Sequence, residues 1–238
     1  MNSLKDRIIV ALDVPFNRVQ ALVGQLSEHV GCFKVGLQLI TAVGVPKIVE
    51  TIHNMGGKVF LDGKFCDIPN TVGEAASAAA DLGVTIFNVH ASCGIEAMTA
   101  AVNNKRNSLV FAVTVLTSLE ESNANLIFGA PSKAKVLQFA RDANSAGVNG
   151  IICSPQELEL LGKQKELSHL LKITPGVRPA WAPTNDQKRV MTPGGAIAAG
   201  AIAVVVGRPI TQPPKEVGSP VDAVKLIQEE IDKALRSE

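Results

Sequence analysis

The segment FLDGKFCDIPNTV, residues 60–72, opens as a buried strand and then places Asp62, Lys64 and Asp67 where apolar side chains would hold a core together better. Successive side chains of a strand alternate between its faces, so Asp62 and Lys64 share one face and Gly63 takes the other. Charges removed from water cost free energy unless they are paired or engaged in chemistry. The segment is therefore expected where a buried strand ends at a working site, and the rest of the chain has to supply such a place.

Seven further apolar, β-rich runs flank it. In order, the eight runs are RIIVALDV (7–14), CFKVGLQL (32–39), KVFLDGKF (58–65), VTIFNVH (84–90), SLVFAVTVL (108–116), NGIICS (149–154), LLKITPGV (170–177) and AIAVVVGRPI (201–210). Most are continuously apolar rather than alternating, as strands of a parallel sheet covered by helices are. Between them, residues 18–30 and 45–55 carry apolar side chains at three- and four-residue spacing, and 71–80, 94–102, 133–146, 155–161 and 193–199 are further candidate helices. Residues 219–236 close the chain as a helix, with Ser219 as N-cap and Pro220 at the first helical position. Eight strand–helix units in 238 residues predict a (β/α)8 TIM barrel, one α/β domain spanning 1–238. A doubly wound open sheet is the alternative, but no GxGxxG follows the first strand.

Bulk composition narrows the function. Apolar residues make up 46% and charged residues 19%, as in an ordinary globular protein. The net charge of +1, with lysines and arginines scattered, offers no nucleic-acid surface, and the absence of Tyr with a single Trp argues against a base-stacking platform. Cys32, Cys66, Cys93 and Cys153 form no CxxC pair and read as reduced thiols. The N-terminal apolar run is too short for a signal peptide, and no stretch has the length of a membrane span. A cytoplasmic protein without membrane or nucleic-acid partners is expected.

In a barrel, chemistry gathers at the C-terminal ends of the strands and in the loops that follow. Asp13 ends the first strand, Lys34 lies in the second, and Asp62 and Lys64 end the third, with Asp67 just beyond. His90 ends the fourth, Thr117 follows the fifth, Arg178 follows the seventh, and Gly207 and Arg208 end the eighth. Any one of these alone reads as a solvated loop charge or a helix cap; their convergence on one rim does not. TPGVRP (174–179) and VVGRPIT (205–211) supply glycines and arginines after strands 7 and 8, where barrels often hold phosphate. The long loop 179–193 between them has the length of a lid, with Gln187 its best polar contact.

The combination DxKxxDIPNT, with FKVG before it and LTS, TPGVRP, DQKRVMTP and GRPIT after it, resembles the orotidine 5′-phosphate decarboxylase family from Asp13 to Thr211. DxKxxD alone is shared with hexulose-phosphate synthases and keto-gulonate-phosphate decarboxylases; DIPNT together with GRPIT is more specific. The resemblance implies a cofactor-free decarboxylase that converts orotidine 5′-monophosphate to uridine 5′-monophosphate in pyrimidine biosynthesis. It implies an alternating charged network of Lys34, Asp62, Lys64 and Asp67, with Lys64 the proton donor. Asp13 and Lys34 would contact the ribose and Thr117 the pyrimidine, while Arg178, Gln187, Gly207 and Arg208 would lie toward the phosphate. It further implies a homodimer in which Asp67 and Thr71 enter the partner's site. Gly63 and Cys66 depart from the family pattern, which usually has a larger apolar residue and a His at those positions.

Three rivals follow from the same residues. A magnesium-dependent enzyme on a sugar phosphate is the closest, yet Lys34 and Lys64 beside Asp62 oppose a divalent cation. A Schiff-base aldolase would need one of those lysines neutral, which flanking carboxylates disfavour. A non-catalytic nucleotide-binding barrel would leave the polar rim unexplained. His29, His53 and His169 read as surface or cap residues, and Glu120–Glu121 as a solvated loop.

Overall fold

The computed structural model describes residues 3–182 and 191–236. Eight parallel strands close into a barrel in chain order: β1 (Ile8–Ala11), β2 (Cys32–Val35), β3 (Val59–Phe65), β4 (Ile86–His90), β5 (Leu109–Val113), β6 (Gly150–Ile152), β7 (Leu171–Thr174) and β8 (Ala203–Val206). Closure is direct, since β1 pairs with both β2 and β8. Each of the eight apolar runs thus contains one strand, and the open doubly wound sheet is ruled out by the closed order.

Alternation along the strands divides the core in two. Ile9, Cys32, Phe60, Ile86, Phe111, Ile152, Ile173 and Val205 fill the barrel interior. Residues one step away, such as Val10, Phe33, Leu61, Phe87 and Val204, pack outward into the larger core beneath the helices. Continuously apolar strands are what two buried faces require. A Cβ on Gly150 would overlap the Leu171 carbonyl and the Phe111 ring, so glycine in β6 is what lets a large aromatic side chain fill that level of the interior.

The main helices are Val19–Leu26, Val45–His53, Pro69–Asp81, Ile95–Asn104, Ser132–Ala146, Leu158–Gly162, Pro193–Ala198 and Pro220–Leu235. The last begins as expected: the Ser219 hydroxyl accepts from the Asp222 N–H at 3.2 Å, and the Asp222 carboxylate accepts from the Ser219 N–H at 3.0 Å. Among the described residues no helix is long and apolar enough to cross a membrane.

Several boundaries differ from the sequence reading; β1 stops at Ala11, so Asp13 follows that strand rather than ends it. β2 stops at Val35, and Leu37–Val43 is a helix entered through Gly36. The run 32–39 is uniformly apolar, and such a run does not tell a buried strand from a helix that buries one side; here Leu39 is fully buried and Leu37 is 64% exposed. β8 likewise stops at Val206, and Arg208–Thr211 is a short helical turn, so Gly207 and Arg208 follow the strand rather than end it. Glu120 and Glu121 are exposed as expected, but Glu121 begins a helix, Glu121–Phe128, with Glu120 at the N-cap position, instead of lying in a loop.

Candidate active site

Alternation carries a polar layer to the C-terminal end of the barrel interior. Above Cys32, Phe60 and Ile86 come Lys34 on β2, Asp62 on β3 and Asn88 on β4. Asp62 is the hub. Its Oδ2 lies 3.1 Å from Lys34 Nζ and its Oδ1 lies 2.7 Å from Lys64 Nζ. Lys34 Nζ also reaches Asp13 Oδ1 at 3.3 Å, just past β1. Asp13, Lys34, Asp62 and Lys64 thus form one chain of alternating charge across the first three strands.

Lys64 does not arrive by alternation alone. Between the pairs Leu61–Phe87 and Phe65–Val89, β3 advances four residues while β4 advances two, so the register breaks at Asp62–Lys64. Lys64 has φ +49°, a left-handed conformation that a side chain beyond glycine seldom adopts. Asn88, with no solvent exposure, spans the break: its Nδ2 donates to Asp62 Oδ1 at 2.7 Å, and its Oδ1 accepts from the Lys64 backbone N–H at 2.7 Å. The sequence reading passed over Asn88, although it shares a strand face with His90, whose place at the rim was noted.

Burial pushes the Asp62 carboxyl up, but the charges of Lys34 and Lys64, with hydrogen bonds from Lys64 and Asn88, outweigh that and hold it below its ordinary value. Asp62 is therefore ionised at neutral pH. His90 moves below its ordinary value through burial and the Lys64 charge, which leaves it neutral; its Nδ1 faces the Ser92 hydroxyl at 2.7 Å.

The charged layer forms one wall of a cavity of about 240 Å³. Lys34, Asp62 and Lys64 line that wall, Phe60 contributes below, and Val113, Val115, Leu116, Ile152, Pro175 and Val205 form an apolar wall. Thr117 stands at the rim, exposed. A wider cavity of about 710 Å³ adjoins it, shares Val115, Leu116 and Thr117, and continues to Ser154, Glu157 and Gly176.

Arg178 follows β7 and Arg208 follows β8, two neighbouring strands. Arg178 is 7% exposed, and among the described residues its Nε has no hydrogen-bond partner. Its backbone N–H donates to the Met191 carbonyl at 2.9 Å, which ties the two ends of the long loop together. Arg208 is exposed beside Gly207. Gln187 lies outside the described residues.

Two predicted members stand apart from this cluster. The Asp67 carboxylate accepts from the Ile68 N–H at 2.7 Å and joins none of the ion pairs that link Asp13, Lys34, Asp62 and Lys64. Asp67 and Thr71 are both exposed, in a run from Cys66 to Thr71 that includes Ile68 at 66% exposure. Gly63 has a local reason: a Cβ there would stand 2.8 Å from the Phe65 ring, which packs on Phe87 with centroids 5.7 Å apart.

A model of the Orotidine 5'-phosphate decarboxylase / HUMPS family matches residues 6–220. The chain is 44% identical to the orotidine 5'-phosphate decarboxylase of Heliobacterium modesticaldum over 97% of this chain and 98% of that protein. It is 42% identical to that of Syntrophomonas wolfei over 96% and 99%. Among solved structures it resembles the orotidine 5'-phosphate decarboxylase of Lactobacillus acidophilus, with TM-score 0.80, 32% identity and coverage of 95% of this chain and 99% of that one. A closed eightfold barrel, a charged network at its C-terminal mouth and likeness along nearly the whole chain agree: the protein belongs to the orotidine 5'-phosphate decarboxylase / HUMPS family.

Proposed function

We propose that this chain removes CO₂ from orotidine 5′-monophosphate to give uridine 5′-monophosphate, with its whole length acting as one barrel domain. The observation that carries this is Asp62, ionised and held between two ammonium groups on the wall of the cavity. Loss of CO₂ from C6 leaves an electron pair in the plane of the pyrimidine ring, where the ring's π system cannot spread it. A site that stabilises such a pair needs a fixed cation at the carbon, and preorganised charge often contributes more to catalysis than any other single effect.

Lys64 supplies that cation and then the proton. Asp62 lies against the departing carboxylate, and their repulsion ends when neutral CO₂ forms. Lys34 keeps Asp62 ionised while it and Asp13 receive the ribose hydroxyls. The apolar wall opposite holds the flat face of the ring, and Thr117 meets its polar edge. Arg178, Gln187, Gly207 and Arg208 take the phosphate, and binding energy from that remote group orders the reacting end. Asp67 and Thr71 act in a second copy: a homodimer places the exposed run 66–71 over its partner's site. The exposure of Ile68 beside them supports an interface there.

The magnesium-dependent sugar-phosphate reading fits these residues less well. Both oxygens of Asp62 already face ammonium groups, and among the described residues no group of three or more His, Cys, Asp or Glu side chains could hold a metal ion. The deciding experiment treats purified protein with EDTA, adds orotidine 5′-monophosphate and follows the ultraviolet change to uridine 5′-monophosphate. Rapid conversion is expected. A folded protein that turns over a sugar phosphate only with added magnesium, and leaves orotidine 5′-monophosphate untouched, would overturn the reading.

A further inference from the structure

We infer that Asn88 is a positioning residue for the reaction: its buried amide holds the Lys64 backbone and the Asp62 carboxylate in the one arrangement that aims the Lys64 ammonium into the cavity. The inference rests on the decarboxylase reading and on Lys64 as its acid. Four observations meet at this side chain. It is fully buried at the level of the barrel where Lys34 and Asp62 face inward. It makes two hydrogen bonds of 2.7 Å, one to each residue flanking Gly63. It bridges the place where β3 and β4 lose register. And Lys64, which it grips, is one of two non-glycine residues with positive φ among those described.

The orientation of the amide is fixed by its partners. A backbone N–H can only donate and a carboxylate can only accept, so Oδ1 must face Lys64 and Nδ2 must face Asp62. No other neutral side chain of this size offers a donor and an acceptor on two separate atoms. An ionised aspartate would set a second negative group against Asp62, and an apolar residue would leave the Lys64 N–H unmet in a buried setting. A left-handed residue persists only where its surroundings over-determine it, and such residues collect at working sites. Here the over-determination is visible: the Lys64 main chain is pinned by Asn88, and its side chain by an Asp62 oxygen that Asn88 also holds. Remove the amide, and β3 is free to recover its register, carrying the ammonium away from the reacting carbon.

The test compares wild type, Asn88→Ala and Asn88→Asp for kcat and KM with orotidine 5′-monophosphate across a pH series, and for affinity toward uridine 5′-monophosphate. Asn88→Ala should lose kcat by about 10- to 100-fold, the worth of a hydrogen bond to a charged group, while product affinity holds. Asn88→Asp should approach wild type at acid pH, where its protonated carboxyl can still donate to Asp62. It should then fall as pH rises and that carboxyl ionises, a limb the wild type lacks. Variants that keep wild-type kcat overturn the inference, as does Asn88→Asp that tracks Asn88→Ala at every pH. Equal losses in kcat and product affinity also overturn it, because they mark a general disturbance of the pocket. Should Asn88→Ala not fold, the near-isosteric Asn88→Asp carries the test. If neither folds even with product present, the amide is a folding element and the inference falls. Wild-type protein without decarboxylase activity fails the underlying reading instead, and is told apart in the same assay.

Discussion

Asp62 is held by its neighbours in a state that it would not keep alone. A buried carboxyl drifts upward in pKa, and the Lys34 and Lys64 charges, with hydrogen bonds from Lys64 and Asn88, bring Asp62 back below its ordinary value. A group depressed in the fold adds stability above its unfolded pKa of about 4 and loses it as pH falls through the lower folded value. Asp62→Asn should therefore lower stability at neutral pH by about 1.5–3 kcal/mol and flatten the acid limb, both readable in urea melts at a series of pH values. An unchanged acid limb would mean that another carboxylate governs it. Lys64→Ala tests the acid itself: kcat should fall about 100- to 10,000-fold, the range for a positioned proton donor, with product-analogue binding largely kept. Turnover near wild type would remove Lys64 from that role. At this scale the charged residues were legible because charge in an apolar strand is conspicuous. Asn88 was not, since a neutral amide raises no such alarm and its importance depends on a register break that no periodicity reports.

Elements were legible where pattern and burial agree. Every strand lay inside its apolar run, because parallel strands buried on both faces leave an uninterrupted signal. The failures came where the same signal serves two structures. Leu37–Val43 and Arg208–Thr211 continue apolar runs after Gly36 and Gly207, and the glycines that end those strands look like ordinary loop residues in one dimension. Glu121–Phe128 buries little more than Ala124 and leaves Leu126 84% exposed, so it has no clear apolar stripe to announce a helix. The short segment after β6 carries a testable feature of its own. Ser154 and Glu157 form a capping box, with the Ser154 N–H donating to Glu157 Oε2 at 2.8 Å, and burial pushes the Glu157 carboxyl up to about 7. A carboxyl raised in the fold gives stability that is whole below its unfolded pKa of about 4.5 and is lost as pH rises through the folded value. Wild type should thus lose about 1–3 kcal/mol between mildly acid and slightly alkaline pH relative to Glu157→Gln, whose side chain can still accept from Ser154. Thermal melts of both proteins over that window check it; parallel curves would show that Glu157 ionises freely.

The barrel as a whole explains why the polar members cluster as they do. Its C-terminal interior is polar on β2–β4 through Lys34, Asp62 and Asn88, with Asp13 just past β1, and apolar on β5, β6 and β8 through Val113, Ile152 and Val205. A flat ring entering such a mouth has one edge chosen for it, so orientation is a property of the closed sheet rather than of any single contact. The family resemblance assigns Asp67 to the network and Thr71 to the site beside it, yet both lie on an exposed run with Ile68, outside the ion pairs that join Asp13, Lys34, Asp62 and Lys64. In the two-fold dimer proposed above, each site would take Lys64 from one copy and Asp67 from the other. The arrangement has an arithmetic consequence. Lys64→Ala and Asp67→Ala should each be nearly inactive alone. Unfolded together and refolded in equal amounts, half the dimers are hybrids, and each hybrid holds one site in which both residues are intact. Activity should return to roughly a quarter of wild type per subunit, with the mixed species separable by a charge tag on one variant. If the two residues acted within one copy, each hybrid would carry two crippled sites and mixing would restore nothing, which would place Asp67 outside the partner's site and leave the exposed run 66–71 without its proposed role.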